Sequence, residues 1–151
     1  MDYSAVDSSR FTGPVQAAFL MAQQAHQGQT DKAGCPYIAH VCRVASALED
    51  PELQIIALLH DTLEDTALPA DEIRRQFGDR IADAVQALTR HRDGHESYED
   101  YIRRVSLNPL ARQVKLSDLA DNMRLDRLPQ VTETDRKRCR KYQKAQDFLL
   151  S

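Results

Sequence analysis

Apolar residues recur at helical spacing along nearly the whole of this chain. Val15, Ala18, Phe19 and Ala22 repeat at the interval of one helix face, and Thr12-Gly13-Pro14 opens the segment with a proline near its first turn. The pattern fades at His26-Gln27-Gly28, and residues 29–36 are polar with Gly34 and Pro36, which predicts a loop. Ile38, Val41, Val44, Ala45 and Leu48 mark a second helix over 37–48. Asp50-Pro51 restarts a third, which becomes almost wholly apolar and runs into His60-Asp61. A short helix follows from Leu68 to Phe77, stopped by Gly78, and Asp79 is placed to cap another over 80–89. Residues 90–96 are polar and predict a loop. Ser97 with Asp100, Asn108-Pro109, and Thr132 with Asp135 then open helices reaching Leu107, about Arg124 and about Leu150. Strand-like alternation never lasts beyond a few residues, so the expected fold is all-α, with residues 1–151 forming a single helical domain.

Composition narrows the function. Apolar residues are 42% of 151, enough for a core, and no stretch approaches the roughly 20 apolar residues a bilayer span requires. The opening residues Met1-Asp2-Tyr3-Ser4-Ala5 lack the basic-then-apolar pattern of a signal peptide, and Cys35, Cys42 and Cys139 form no CxxC and cannot all pair. Both observations lead to the expectation of a cytoplasmic protein with reduced thiols. The net charge of −3 supplies no general attraction for nucleic acid or membrane surfaces. An anionic substrate would need a local positive field, from a metal and a few Lys and Arg.

The chemistry concentrates in three segments: Gly34 to His40, His60-Asp61 with Glu64-Asp65, and Val114 to Asn122. On a continuous helix His60 and Glu64, and likewise Asp61 and Asp65, stand four apart on neighbouring stripes. Ionisable groups crowded against an apolar helix are costly unless something gathers them, and a divalent metal would. Two imidazoles and two carboxylates from three helices make a mixed nitrogen–oxygen site that suits a borderline or hard ion and leaves positions for water and substrate. Glu64 and Asp65, one turn beyond the ligand pair, stand where a base reaches an activated water, and Lys115 can meet a phosphate.

The strings GxPYIxH (34–40), ALLHDTxEDT (57–66) and VKLxDxxxN (114–122) resemble the hydrolase domain of the RelA/SpoT homologues and, in size, the small alarmone hydrolases of the HD metal-dependent phosphohydrolase superfamily. The resemblance is strong over about residues 26–66 and 112–128. It implies an all-helical HD domain with one metal ion, usually Mn²⁺. His40, His60, Asp61 and Asp118 would be its ligands, and Glu64 and Asp65 would position and deprotonate the attacking water. It also implies that Lys32 and Asn122 contact the nucleotide. The implied reaction is hydrolysis of the 3′-pyrophosphate of a (p)ppGpp-type alarmone, releasing pyrophosphate and GDP or GTP. Relatives that act on adenosine analogues or NADPH keep another phosphoester open, such as an adenosine alarmone, NADPH or a nucleoside monophosphate, and a nucleotide-binding sensor that kept the fold without activity is the non-enzymatic alternative.

The chain departs from the resembled pattern on the substrate side. Asp31 stands where that pattern has Arg, Leu119 where it has Arg or Lys, Asp121 where it has His or Tyr, and Val41 where it has Pro. An Arg-to-Asp exchange replaces a stacking cation by an anion. Other candidates have plainer accounts. His26 reads as a loop-packing residue, His91 and His95 as solvated loop residues, and Arg43 as a surface charge. Asp121 and Asp126 read as a polar helix end, and the basic run Arg136 to Lys141 as a solvated helix face interleaved with acids.

Overall fold

A computed structural model describes residues 10–91 and 94–151. Among these the chain is helical throughout, as its periodicity predicts. Its elements are α1 (Gly13–Ala25), α2 (Tyr37–Ser46), α3 (Pro51–Leu59), the single turn α4 (Thr62–Asp65), α5 (Ala70–Phe77), α6 (Asp79–Ala87), α7 (Tyr98–Ser106), α8 (Pro109–Asn122) and α9 (Glu133–Leu150). The described residues form no strand, only an isolated bridge between Thr30 and Pro36 that closes the α1–α2 loop. No described helix is long and apolar enough to cross a membrane.

The core is organised around α3. Leu53 and Ile55 to Leu59 are all buried, so this helix is apolar around most of its circumference and must be surrounded. It packs against α1, α2, α6 and α8. Those helices are amphipathic and turn one stripe inward: Val15, Ala18, Phe19 and Ala22 from α1, Val41, Val44 and Ala45 from α2, and Ala111, Val114 and Leu119 from α8. α9 lies across α7 and α8.

The caps show which turn chemistry the sequence encodes. Asp50 accepts from the Glu52 amide, Ser97 from Asp100, and Asn108 from Leu110 and Ala111 at the head of α8. Thr132 and Asp135 complete a reciprocal capping box. Asp79 does not cap as expected. The cap position belongs to Gly78, whose φ of 95° suits glycine, and the Asp79 carboxylate accepts from Arg74 instead.

The third helix is not continuous through the chemistry-bearing residues. α3 ends at Leu59, and Asp61 sits at φ −104°, ψ 0° before the separate turn α4. The cause lies in two side chains. His60 Nδ1–H donates to the Ala57 carbonyl at 2.5 Å, and the Thr62 hydroxyl donates to the Leu59 carbonyl at 2.7 Å. They take the last carbonyls of α3 that a following turn would use. The four-apart stripes expected for His60/Glu64 and Asp61/Asp65 are therefore interrupted by this break.

Arg104 on α7 closes the other side. It donates to the carbonyls of Ala87 and Thr89 beyond α6, pairs with Glu96, and lies over the Tyr101 ring. The Tyr101 hydroxyl donates to the Leu88 carbonyl at 2.7 Å.

Two predictions follow from these anchors. Asn108→Ala removes the acceptor at the head of α8 and should lower the unfolding free energy by about 1 kcal/mol in urea titration. Burial pushes the Tyr101 phenol up to about 12, against an opposing pull from Lys115. Between the ordinary tyrosine value of about 10 and this one, the unfolded chain loses a proton that the folded chain keeps. Stability therefore falls as pH rises through this window, by about 2–3 kcal/mol for this group. Tyr101→Phe should cost about 1 kcal/mol at neutral pH through the lost bond to Leu88 and flatten the alkaline decline, as read from urea titrations at successive pH values.

Candidate metal centre

Three helices deliver one group of donors. His40 comes from the middle of α2, His60 and Asp61 from the end of α3, and Asp118 from α8. His40, His60 and Asp118 are buried, Asp61 is largely so, and each offers one donor atom lying within 4.8 Å of all the others. His40 Nε2 lies 2.9 Å from Asp118 Oδ1, His60 Nε2 lies 3.2 Å from the same oxygen, and His60 Nε2 lies 3.0 Å from Asp61 Oδ2. Two ligands at right angles around an ion bound at about 2.1 Å would be about 3.0 Å apart. The donor spacing and the mixed nitrogen–oxygen chemistry both fit a divalent metal.

The surrounding bonds orient these donors. The Ala57 carbonyl can only accept, so His60 carries a proton on Nδ1; its Nε2 faces the Asp61 and Asp118 carboxylates, which favour a proton there as well, and would offer its lone pair only to a bound ion. The His40 Nδ1–H donates to Asp121 Oδ2 at 2.6 Å, with the same result for Nε2. The Tyr37 hydroxyl donates to Asp61 Oδ2. Burial and the Asp61 carboxylate push the Tyr37 phenol far above its ordinary range, so it stays a donor. Asp118 is the hub. Its Oδ1 accepts from the Asn122 amide at 3.1 Å and its Oδ2 from Lys115 Nζ at 2.9 Å. Burial alone would push its carboxyl up, but Lys115 and the imidazoles outweigh that and hold it well below the ordinary range. Lys115 is thus committed to Asp118 and to the Tyr101 ring, 5.2 Å away.

The cluster opens into a cavity of about 450 Å³. Glu64 and Asp65 line it beside the donors, and both stand close enough to Asp61 for a carboxylate oxygen of each to lie within 4.8 Å of one of its own. One Glu64 oxygen accepts from the Arg90 amide at 2.8 Å. The α1–α2 loop supplies Lys32 and Asp31, and α8 supplies Lys115 and Asn122. All nine sequence-predicted site residues therefore meet in one place.

Several residues of the wall were not anticipated from sequence. Arg90, Tyr98, Arg138, Lys141 and Tyr142 also line the cavity. Lys141 Nζ sits 4.3 Å from the Tyr98 ring centre and Arg90 lies 5.2 Å from it. Burial, then Arg90 and Lys115, push the Lys141 ammonium below its ordinary value, and burial with Arg138 does the same to Lys32. Lys32, Arg90, Arg138 and Lys141 thus gather around one cavity, with Arg138 paired to Asp135. The basic run 136–141 is only partly a solvated face: Arg136, Lys137 and Arg140 point to solvent while Arg138 and Lys141 face the cavity. The signal was present, since Arg138, Tyr142, Ala145 and Leu149 fall on one helical stripe and the last two are buried.

The plain accounts of the remaining residues fare unevenly. His26 is a buried packing residue that donates from Nδ1 to Gln29 and stacks near Tyr37. His91 and His95 are exposed, while the middle of their loop, residues 92 and 93, lies outside the described residues. Asp126 is exposed and pairs with Arg124. Arg43 is not a solvated surface charge, and Asp121, although in the last turn of α8, is not exposed there. Asp121 is buried and Arg43 donates to it from Nε at 2.8 Å and from Nη2 at 3.2 Å. Arg127 lies between Asp121 and Asp31, at 3.6 Å and 3.1 Å.

Comparison with known proteins agrees with this geometry. The chain is 38% identical over 120 residues to an Aquifex aeolicus protein named guanosine-3′,5′-bis(diphosphate) 3′-pyrophosphohydrolase, covering 73% of this chain and 17% of that one. It is 32% identical over 123 residues to the bifunctional (p)ppGpp synthase/hydrolase SpoT of Escherichia coli, covering 73% and 18%. A Streptomyces coelicolor protein named GTP pyrophosphokinase is 33% identical over 121 residues, covering 73% and 14%. The chain therefore spans less than a fifth of the length of these relatives. Among solved structures, a metazoan ortholog of SpoT described as hydrolysing ppGpp superposes with a TM-score of 0.72 at 24% identity, covering 92% of this chain and 86% of that one, which shows a shared fold. The HD domain family model matches residues 18–141, and the chain belongs to that family.

Proposed function

We propose that this chain is a metal-dependent phosphohydrolase that removes the 3′-pyrophosphate of a (p)ppGpp-type alarmone, releasing pyrophosphate and GDP or GTP. The observation that carries this reading is a single cavity that joins metal-type donors to Lys32, Arg90, Arg138 and Lys141. A multiply phosphorylated nucleotide is the ligand that needs both. The names of the sequence relatives, and the activity described for the metazoan ortholog, support the same substrate class.

In this reading His40, His60, Asp61 and Asp118 hold the ion, taken as Mn²⁺ with other divalent transition metals admitted by the donor set. Such an ion supplies Lewis acidity at phosphorus and lowers the pKa of water. Glu64, held by the Arg90 amide, and Asp65 take the proton from the attacking water and return one to the departing 3′-oxygen. Lys32, Arg138 and Lys141 bind the phosphates, and Tyr98 and Tyr142 wall the nucleotide. Asn122 reaches substrate from the same helix face that steadies Asp118. Lys115 acts on substrate mainly by neutralising Asp118. We place the activity in the cytoplasm, in keeping with three cysteines that form no disulfide with one another.

One observation favours a second reading of the base. Asp31 on the cavity wall is tied to Arg127, so no stacking cation stands at that position. The same chemistry would then serve an adenosine alarmone or NADPH.

The test is a turnover assay with Mn²⁺ on guanosine tetraphosphate, its adenosine analogue and NADPH, with bound metal measured in parallel. At least one substrate should be hydrolysed, and no turnover by metal-loaded protein would refute the enzymatic reading in favour of a sensor. His60→Ala should lose metal and activity together. Glu64→Gln should keep metal and lose about 10²–10⁴-fold in kcat.

A further inference from the structure

Asp121 has no part in the reaction as assigned so far, yet it is among the most constrained carboxylates in the molecule. It is 7% exposed and stands near the end of α8, three residues after Asp118. Its Oδ2 accepts from His40 Nδ1–H at 2.6 Å. Its Oδ1 accepts from Arg43 Nε at 2.8 Å, Arg43 Nη2 reaches back to Oδ2 at 3.2 Å, and Arg127 closes to 3.6 Å. A carboxylate clamped by two guanidinium groups stays ionised and can only accept.

We propose that Asp121 is the positioning residue of His40, holding its imidazole in the Nδ1–H form so that Nε2 presents its lone pair to the metal. This rests on His40 being a metal ligand in the function proposed above. The two imidazoles of the centre are thereby oriented by unlike partners. His60 is held by a neutral carbonyl of its own helix, and His40 by a charged carboxylate from α8. A hydrogen-bonded carboxylate raises the basicity of a ligating imidazole and fixes its ring plane. His40 is therefore the stronger donor, and its strength is set by an acid outside the donor group.

The clamp extends to the α1–α2 loop. Asp31 Oδ2 accepts from Arg127 at 3.1 Å and lies 4.0 Å from Arg43, while its Oδ1 accepts the Ala33 and Cys35 amides. Asp31, Arg127, Asp121 and Arg43 alternate in sign, so Asp121 can be buried without an uncompensated charge.

The experiment measures Mn²⁺ affinity by titration calorimetry on the full chain, together with the His40 imidazole N–H resonance in the Zn²⁺-loaded, diamagnetic protein. Asp121→Asn and Asp121→Ala should each weaken Mn²⁺ binding about 10–100-fold. The downfield Nδ1–H signal of His40 should move or exchange with solvent in both. Ile73→Val, a core truncation away from the cavity, should lower thermal stability and leave affinity and resonance unchanged, which separates positioning from general weakening. Should the Asp121 variants not fold, Arg43→Gln keeps the carboxylate but opens the clamp, and it should weaken Mn²⁺ binding in the same direction by a smaller factor. Parental affinity and an unmoved Nδ1–H signal in the Asp121 variants, or in Arg43→Gln, would overturn the proposal. His40→Ala distinguishes the levels. If it abolishes Mn²⁺ binding while the Asp121 variants bind normally, only the positioning role fails. If it binds normally too, the ligand assignment fails and the proposal with it.

Discussion

Asp118 is a buried carboxylate that must be satisfied from every side at once. An ionised group taken out of water is tolerated only when paired and hydrogen-bonded, and a single partner is not enough. Here the partners arrive from three directions: Lys115 and Asn122 along its own helix, His40 from α2, and His60 from the end of α3. The two contacts from other helices form only where α2, α3 and α8 pack against one another. The apolar burial that surrounds α3 and the polar convergence at its end are thus one requirement met twice. The core places the helices, and the charged cluster fixes their axial register, because a shift of one residue along α8 would carry Asp118 away from both imidazoles.

Much of this is legible in the sequence because amphipathic helices announce their inward stripe. α1, α2 and α8 pack with the residues their periodicity selects, and α3 is central because it has hardly any polar face. Caps built from local side chains are equally readable, as at Asn108 and Thr132. The break after His60 was not readable. It depends on whether the His60 and Thr62 side chains bond backwards to the α3 carbonyls or turn outward, and periodicity is silent on that choice. Glycine at position 78 took the cap expected of Asp79 for a related reason, since a positive φ there removes the geometry in which the next side chain caps.

The candidate site divides in the same way. Its donors are contiguous in short motifs, so sequence assembles them. Its cationic wall is spread over Lys32, Arg90, Arg138 and Lys141, which are far apart in the chain and which solvated surfaces also favour. Charge alone could not tell Lys137 from Arg138. What separates them is register with the buried residues Ala145 and Leu149 on α9, a stripe interrupted by so many charges that its polar members look like the outer face.

Two of the four positions that depart from the resembled pattern, Asp31 and Asp121, belong to one electrostatic unit, while Val41 and Leu119 lie in the core. Asp31 and Asp121 place two negative charges where that pattern has a cation and a neutral or weakly basic ring, and Arg43 and Arg127 stand between them. The guanidinium groups of Arg43 and Arg127 are therefore engaged with acids. Lys141 and Lys32, by contrast, are pushed down by burial and by neighbouring cations, while Arg138 is paired with Asp135.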